Sequence, residues 1–374
     1  MKKILYVTAV PETVNAFLTS YLNALNKHYD VHVLTSHSEK QLNNLADTIT
    51  VHNIDIARKP SVAKDLKSLF ALYRFLRKHN FDMVHSFTPK AGLITQLASF
   101  FAGVKYRFHT FTGQVWATKQ GAGRTLLKTL DKVTATLCTA CLADSGSQKA
   151  FIVGEGVVKD SKCTVLANGS ISGINLSRFQ HDPQARQTLR AEHGIGDDEF
   201  VFLFVGRLNR EKGIPELFQA FNQLSSDRKF SLFVIGSDEE ALASLAADND
   251  NIHYLGFKSN VPEYCSFADT LVLPSHREGF GNVIIEAAAC GIPSIASNIY
   301  GLSDAVADNY SGLLHEVKNA DDLRKCMQML LDDPTLYEQL KNQAKSRAES
   351  EFDEQVLVNA LLDYYNIKFR QRES

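Results

Sequence analysis

The sequence predicts two doubly wound α/β domains in succession, and three observations carry that expectation. Short apolar runs alternate with segments of helical periodicity along the chain, as expected for parallel strands buried on both faces under crossover helices. The alternation breaks once, over the polar stretch 168–179 (NGSISGINLSRF), and then restarts. With 374 residues, 44% hydrophobic and 22% charged, the chain exceeds what one core usually holds and has the composition of a folded protein.

In the first half, ILYVT (4–8), VHVLT (31–35), a short segment near 49–55, MVHSF (83–87), YRFHTF (106–111), CLAD (141–144) and CTVLA (163–167) read as strands. Helical patterns separate them near 14–27, 64–78, 90–101 and 124–141, with one more before residue 163. The apolar runs are too short for helices and are bounded by polar residues. In the segment Lys64–Lys78, the spacing puts Leu66, Leu69, Phe70, Tyr73 and Leu76 on one face. Lys64, Lys67, Arg74 and Lys78 share the opposite face, with Phe75 on the basic side. The second half repeats the scheme with FVFLFVG (200–206), FSLFVIG (230–236), NIHYLG (251–256), TLVLPS (270–275) and PSIAS (293–297). The expected domains are 1–175 and 176–351, with a final helix in 352–374 packing back on the first.

Several classes of protein are excluded. No run approaches the eighteen or so apolar residues that span a bilayer, and the apolar stretch before Pro11 is too short for a signal peptide, so a cytoplasmic protein is expected. Six scattered cysteines suit reduced thiols better than a disulfide framework. The net charge of −2 conceals an asymmetry: residues 1–170 hold 21 Lys+Arg against 11 Asp+Glu, and the remainder holds 19 against 31. A basic first half suits an anionic membrane surface. Nucleic acid is not expected, since no basic run interleaved with aromatics occurs.

Open parallel sheets bind ligands at the carboxyl ends of their strands, so the chemistry is sought in the loops after these runs. After 200–206 come Gly206, Arg207 and, five residues on, Lys212; a guanidinium fork and an ammonium suit the adjacent oxygens of a diphosphate. After 270–275 come Glu278, Gly279, Phe280, Gly281 and Asn282, with Glu286 further along. Two glycines let backbone approach a ligand, and a helix beginning near Asn282 aims free N–H groups at an anion. The two carboxylates offer paired acceptors for sugar hydroxyls.

Together, Gly206-Arg207…Lys212-Gly213 and Glu278-Gly279-Phe280-Gly281-Asn282…Glu286 resemble the family 4 retaining glycosyltransferases, with the His85–Lys90 and His109–Gly113 strand ends and Gly256-Phe257 extending the likeness over nearly the whole chain. The resemblance implies the GT-B fold, two Rossmann-like domains facing a cleft. It implies that Arg207 and Lys212 hold the donor diphosphate, that Glu286 binds the nucleotide ribose, and that Glu278 lies near the donor sugar. Backbone amides of Gly279, Phe280, Gly281 and Asn282 would contact sugar and phosphate, Phe257 and Lys258 would meet the base, and His109 would reach the donor sugar from the first domain. The implied reaction is front-face transfer of a hexose or N-acetylhexosamine from a UDP-sugar to a glycan or lipid-linked sugar in surface polysaccharide assembly, with no cofactor and no metal. Acceptor-binding residues are not indicated. Two departures stand out: the first strand-to-helix loop, Ala9–Thr13, lacks paired glycines, and Asn168-Gly169 is not followed directly by Val-Asp.

Other signals carry less. Cys138 and Cys141 form a lone CxxC without the further ligands a zinc site needs. Asp248-Asn249-Asp250 precedes a strand and reads as a turn. The sequons at Asn168 and Asn309 are irrelevant in the cytoplasm. The alternatives are a sugar-nucleotide 2-epimerase of the same architecture, a non-catalytic sugar-nucleotide sensor, and a dinucleotide oxidoreductase, the last disfavoured because no GxGxxG follows the first strand.

Overall fold

The computed structural model describes residues 1–36, 42–57 and 61–371. Expected positions 372–374 lie outside the described residues. The chain forms two units, Met1–Ser172 with Gln355–Ser374 and Gly173–Glu354, so the first unit ends three residues before the boundary expected at 175.

In the first unit the strands are β1 (Lys3–Val7), β2 (Asp30–Thr35), β3 (Thr50–Asn53), β4 (Met83–Phe87), β5 (Tyr106–Phe111), β6 (Ala140–Ala143) and β7 (Cys163–Val165). All pair in parallel in the order β3-β2-β1-β4-β5-β6-β7. The order reverses between β1 and β4, the switch point of a doubly wound sheet. The crossovers are α1 (Pro11–Thr13) and α2 (Thr19–Leu25), joined by a π turn at Val14–Leu18, then α3 (Val62–His79), α4 (Pro89–Ala102), α5 (Gly121–Leu137) and α6 (Gly146–Gly154).

Helix α3 is rotated from the orientation its periodicity suggested. Ser68, Leu72 and Leu76 are buried, whereas Leu66 and Phe70 are 59% and 60% exposed. Two apolar stripes compete here, and hydrogen bonding favours the one containing Ser68, whose Oγ donates to Asp55 O at 2.5 Å and Lys64 O at 2.8 Å. Phe75 lies within a ring cluster with His52, His79 and Phe81 at centroid distances of 4.7, 4.4 and 5.6 Å, away from the basic face assigned to it.

In the second unit β8 (Phe200–Val205), β9 (Phe230–Ile235), β10 (Ile252–Tyr254), β11 (Thr270–Leu273), β12 (Ser294–Ser297) and β13 (Gly312–His315) pair in parallel in the order β10-β9-β8-β11-β12-β13. Strand β13 had no counterpart in the sequence reading, because GLLH is too short to stand out. The helices are α7 (Pro183–His193), α8 (Ile214–Asn222), α9 (Val261–Phe267), α10 (Asn282–Ala289), α11 (Leu302–Ala305), α12 (Ala320–Asp332) and α13 (Pro334–Glu351). Phe200, Val201, Phe202, Leu203 and Phe204 are all fully buried, as a strand covered on both faces requires.

The last helix, α14 (Glu354–Arg370), belongs to the first unit over almost its whole length. It buries Leu357, Val358, Leu361, Tyr365 and Phe369 against the β-sheet residues Tyr6, Phe87 and Phe108, each worth about 1.5–3 kcal/mol of apolar transfer. Polar groups complete the joint: Tyr6 and Tyr365 share a hydroxyl hydrogen bond at 2.6 Å, Tyr365 OH meets His85 Nδ1 at 2.5 Å, and His85 Nε2 meets Thr110 Oγ1 at 2.8 Å.

Candidate active site

The order of the second sheet reverses between β8 and β11, so the loops after these strands flank the switch point, where doubly wound sheets hold ligands. These are the loops that carry Arg207, Lys212 and Glu278. Strand β8 ends at Val205; Asn209 then caps a 3₁₀ turn, Arg210–Lys212, its Oδ1 accepting from Lys212 N–H at 3.0 Å. Gly213 follows at φ +72°, and a Cβ there would lie 2.1 Å from Pro274 O. Only glycine lets the two loops pack backbone against backbone.

That packing brings charges together. Lys212 Nζ hydrogen-bonds Glu278 Oε1, which also accepts from Ser275 Oγ at 2.9 Å. Around this pair, Arg277 Nη2 donates to Glu211 Oε2 at 2.9 Å and His276 Nε2 lies 3.0 Å from Glu216 Oε1. Arg207 is exposed and Nη1 donates to both Glu239 oxygens at 3.0 Å; Asn209 Nδ2 donates to Glu239 Oε2 at 2.9 Å. Glu239 follows β9 and was missed in the sequence. Its signal was position: a carboxylate in the loop after the strand next to β8.

After Glu278 the chain turns through Gly279 and Phe280 into α10. Gly281 caps that helix at φ +82°, where a Cβ would meet Leu302 Cδ2 at 2.5 Å. Phe280 is anchored in the core, 5.4 Å from the Phe352 ring, so its backbone is what the loop presents. Asn282 is the first helical residue, and the first-turn amides of such a helix point outward. Glu286, one turn on, is largely enclosed; burial pushes its carboxyl up to about 7, against the pull of Arg178. Phe257, after β10, is 75% exposed, and Lys258 beside it is half-buried. Gly206 lies against Gly236, whose N–H donates to Gly256 O at 3.0 Å, tying the β8, β9 and β10 loops together.

His109 belongs to the first unit. It lies within β5, 1% exposed, with Nδ1 2.9 Å from Ser86 Oγ. A Cβ on Gly92 of α4 would lie 2.3 Å from its Cε1, so that glycine makes room for the ring. Burial lowers its pKa to about 3, and the imidazole is neutral at physiological pH. Gln96 donates to Ser86 Oγ at 2.8 Å; Gly92 and Gln96 do not stand out in the sequence, and Ser86 does so only as part of the His85–Lys90 strand end.

The discounted signals are also located. Cys138, Cys141 and Cys163 are buried free thiols in and beside β6 and β7. Asn249 N–H donates to Ala246 O at 3.1 Å and Asn249 O accepts from Ile252 N–H at 3.0 Å, forming a turn. No helix among the described residues is long and apolar enough to cross a membrane.

Two doubly wound domains, one with basic side chains and a helix N-terminus at its switch point, define a two-domain α/β protein suited to an anionic ligand. Residues 185–347 match the family described as glycosyl transferases group 1, and residues 3–134 match glycosyl transferase 4-like. The chain is 30% identical to the capsular polysaccharide biosynthesis glycosyltransferase CapM of Staphylococcus aureus, over 100% of this chain and 99% of that one. It is 27% identical to the UDP-Gal:alpha-D-GlcNAc-diphosphoundecaprenol alpha-1,3-galactosyltransferase of Escherichia coli, covering 91% and 89% of the two chains. In fold it is similar to Anabaena HepE in complex with UDP and glucose, with a TM-score of 0.82, 18% identity, and 98% and 100% of the chains covered. The chain belongs to the GT-B glycosyltransferases of this group 1 and 4-like family and is a glycosyltransferase. Nothing in these relationships favours the epimerase alternative.

Proposed function

We propose that this enzyme transfers a hexose or N-acetylhexosamine, with retention of anomeric configuration, from a UDP-sugar to a lipid-linked sugar in surface polysaccharide assembly. The carrying observation is the convergence of Arg207, Lys212 and the α10 N-terminus at the switch point of the second sheet. Fixed positive charge there stabilises a departing diphosphate without a metal or cofactor. Arg207 and Lys212 take the diphosphate oxygens, exchanging Glu239 and Glu278 for the ligand. The backbone of Gly206, Gly279, Phe280, Gly281 and Asn282 approaches phosphate and sugar, and Glu278 accepts from a sugar hydroxyl once Lys212 has turned away. Glu286 accepts from the ribose, and Phe257 and Lys258 take the base. His109, neutral, serves as a hydrogen-bonding group for the sugar rather than as a base.

In the transfer step the bond between the anomeric carbon and the diphosphate oxygen breaks, its electron pair leaving on UDP. The acceptor hydroxyl oxygen bonds to that carbon from the same face, and its proton passes to the departing phosphate oxygen. Atoms and charge balance without a covalent enzyme intermediate. The UDP-galactose and diphosphoundecaprenol in the Escherichia coli relative's name, and the UDP and glucose bound to HepE, support the donor and acceptor classes.

An anionic membrane surface is the proposed site of work. On α3, Val62, Leu66 and Phe70 are exposed at successive turns, among the exposed Lys64, Lys67, Arg74 and Lys78; such an apolar ridge flanked by cations suits an interface. On α5, by contrast, Arg124 and Lys128 are engaged by Glu155 at 2.8 and 2.6 Å. Acceptor-dependent UDP release tests the transfer, and co-sedimentation with anionic against neutral vesicles tests the surface, with equal binding to both contradicting it.

A further inference from the structure

The two loops that meet at the switch point of the second sheet are joined by more than the Lys212–Glu278 pair. Gly213 packs against Pro274, His276 N–H donates to Glu211 O at 2.8 Å, Arg277 Nη2 donates to Glu211 Oε2, and His276 Nε2 meets Glu216 Oε1. A third loop adds Gly301 at φ +83°, where a Cβ would collide with Gly279 O and crowd Glu278 O. The backbone that carries Glu278 is therefore braced by two other loops, and what remains adjustable is its side chain.

The proposed arrival of the donor removes one of the two groups that hold that side chain. When Lys212 turns to the diphosphate, the Glu278 carboxylate loses its cation and regains access to other staggered rotamers. A reacting-site group displaced by about 1 Å can lower the rate by on the order of 10²-fold, so the aim of Glu278 matters most at the moment Lys212 leaves it.

Ser275 has the properties of the group that keeps that aim. Its side chain is fully buried, so neither water nor ligand competes for the hydroxyl. The hydroxyl donates to Glu278 Oε1 at 2.9 Å and makes no other hydrogen bond among the described residues. The side chains of Arg277 and His276, between the two in sequence, are engaged by Glu211 and Glu216 instead. Both hydrogen bonds that the Glu278 carboxylate accepts among the described residues land on Oε1. A carboxylate held in this way through one oxygen offers the other, with two lone pairs, to hydroxyl donors.

We propose that Ser275 is a positioning residue for the transfer: acting through Oε1, it fixes the Glu278 carboxylate after Lys212 has moved to the diphosphate, so that Oε2 meets the donor sugar. This role rests on the donor contacts proposed above for Lys212 and Glu278. Lys212 then serves the diphosphate, and Ser275 serves the aim of the partner that Lys212 has left.

The test uses the full-length enzyme with Ser275→Ala, Glu278→Gln and the double variant, and with Ser275→Cys, which keeps a weaker donor. UDP binding is measured by calorimetry, and transfer with the radiolabelled UDP-hexose or UDP-N-acetylhexosamine that the wild type uses. In S275A the UDP affinity should stay within about two-fold of wild type while kcat falls by about 10- to 100-fold, the size of one hydrogen bond to a charged group. S275C should fall between. In the E278Q background the loss of the hydroxyl should change kcat by less than about three-fold, because the carboxylate it aims is absent. A kcat of S275A within about two-fold of wild type overturns the assignment. So does an equal loss in both backgrounds, or a loss of UDP affinity as large as the loss of kcat, because Ser275 would then act on the fold of the loop. If UDP does not bind the wild type, or E278Q transfers at the wild-type rate, the donor reading has failed instead, and the role of Ser275 falls with it.

Discussion

Lys212 and Glu278 hold each other across two strand-end loops, with Lys212 Nζ on the Glu278 oxygen that Ser275 Oγ also contacts at 2.9 Å. Both residues are proposed to meet the donor, so without it the cation that would meet the diphosphate is neutralised by the carboxylate that would meet the sugar. Binding a UDP-sugar has to exchange this pair for contacts with the ligand. Replacing Lys212 by Ala removes charge stabilisation of the leaving diphosphate and is expected to lower kcat/KM by about 10²–10³-fold. Glu278→Gln frees Lys212, so UDP should bind at least as tightly as to wild type while sugar transfer falls. Calorimetric titration with UDP and steady-state transfer rates separate the two effects.

Arg207 makes a similar exchange with Glu239, at the surface. An exposed pair of this kind is worth about 0–1 kcal/mol, which sets the scale of what the donor must overcome. Glu239→Gln is therefore expected to tighten UDP binding by up to about five-fold at low salt, with the gain shrinking as salt is added. Weaker binding in this variant would mean that Glu239 positions Arg207 for the diphosphate instead of withholding it.

Glu286 gives the enzyme a pH signature. Its folded pKa, about 7, lies above the ordinary glutamate value of about 4.5, so between those values the folded state binds more protons than the unfolded. Its contribution to stability is present below about pH 4.5 and is lost as pH rises through 7. Glu286→Gln should match wild type in stability at pH 4 and exceed it by on the order of 2 kcal/mol at pH 8. UDP affinity should rise through pH 7 in wild type, as the proposed ribose acceptor ionises, and stay flat in E286Q. His109, with a pKa of about 3, is not the source of that limb. Chemical denaturation and UDP titration over this pH range check both statements.

Phe257 leaves a large apolar ring in water at 75% exposure. Stacking on a uracil would cover it, and aromatic contacts contribute about 0.5–1.5 kcal/mol beyond area burial. Phe257→Ala is expected to weaken UDP binding by about three- to ten-fold with kcat little changed and stability intact. Equal UDP affinity in the variant would remove Phe257 from the donor site.

Much of this was legible in the sequence because strand-end loops carry their signal in consecutive residues. Gly206-Arg207 and Glu278 through Glu286 stand as local patterns, and the runs that became β8 and β11 place both at one switch point. Partners supplied by other loops were not legible: Glu239 meets Arg207 only through the pairing of β8 with β9, and Ser86 meets His109 only through β4 and β5. The orientation of α3 was misread because two apolar stripes of similar width coexist, and Ser68's hydrogen bonds to Asp55 and Lys64 favour one of them.

The most direct measurement incubates the purified enzyme with individual UDP-sugars and a lipid-diphosphate sugar in the presence of a metal chelator, following UDP release and the anomeric configuration of the product. One UDP-sugar should give acceptor-dependent UDP release, with the α-configured donor yielding an α-linked product. A β-linked product, a strict need for added metal, or UDP release indifferent to the acceptor would contradict the account.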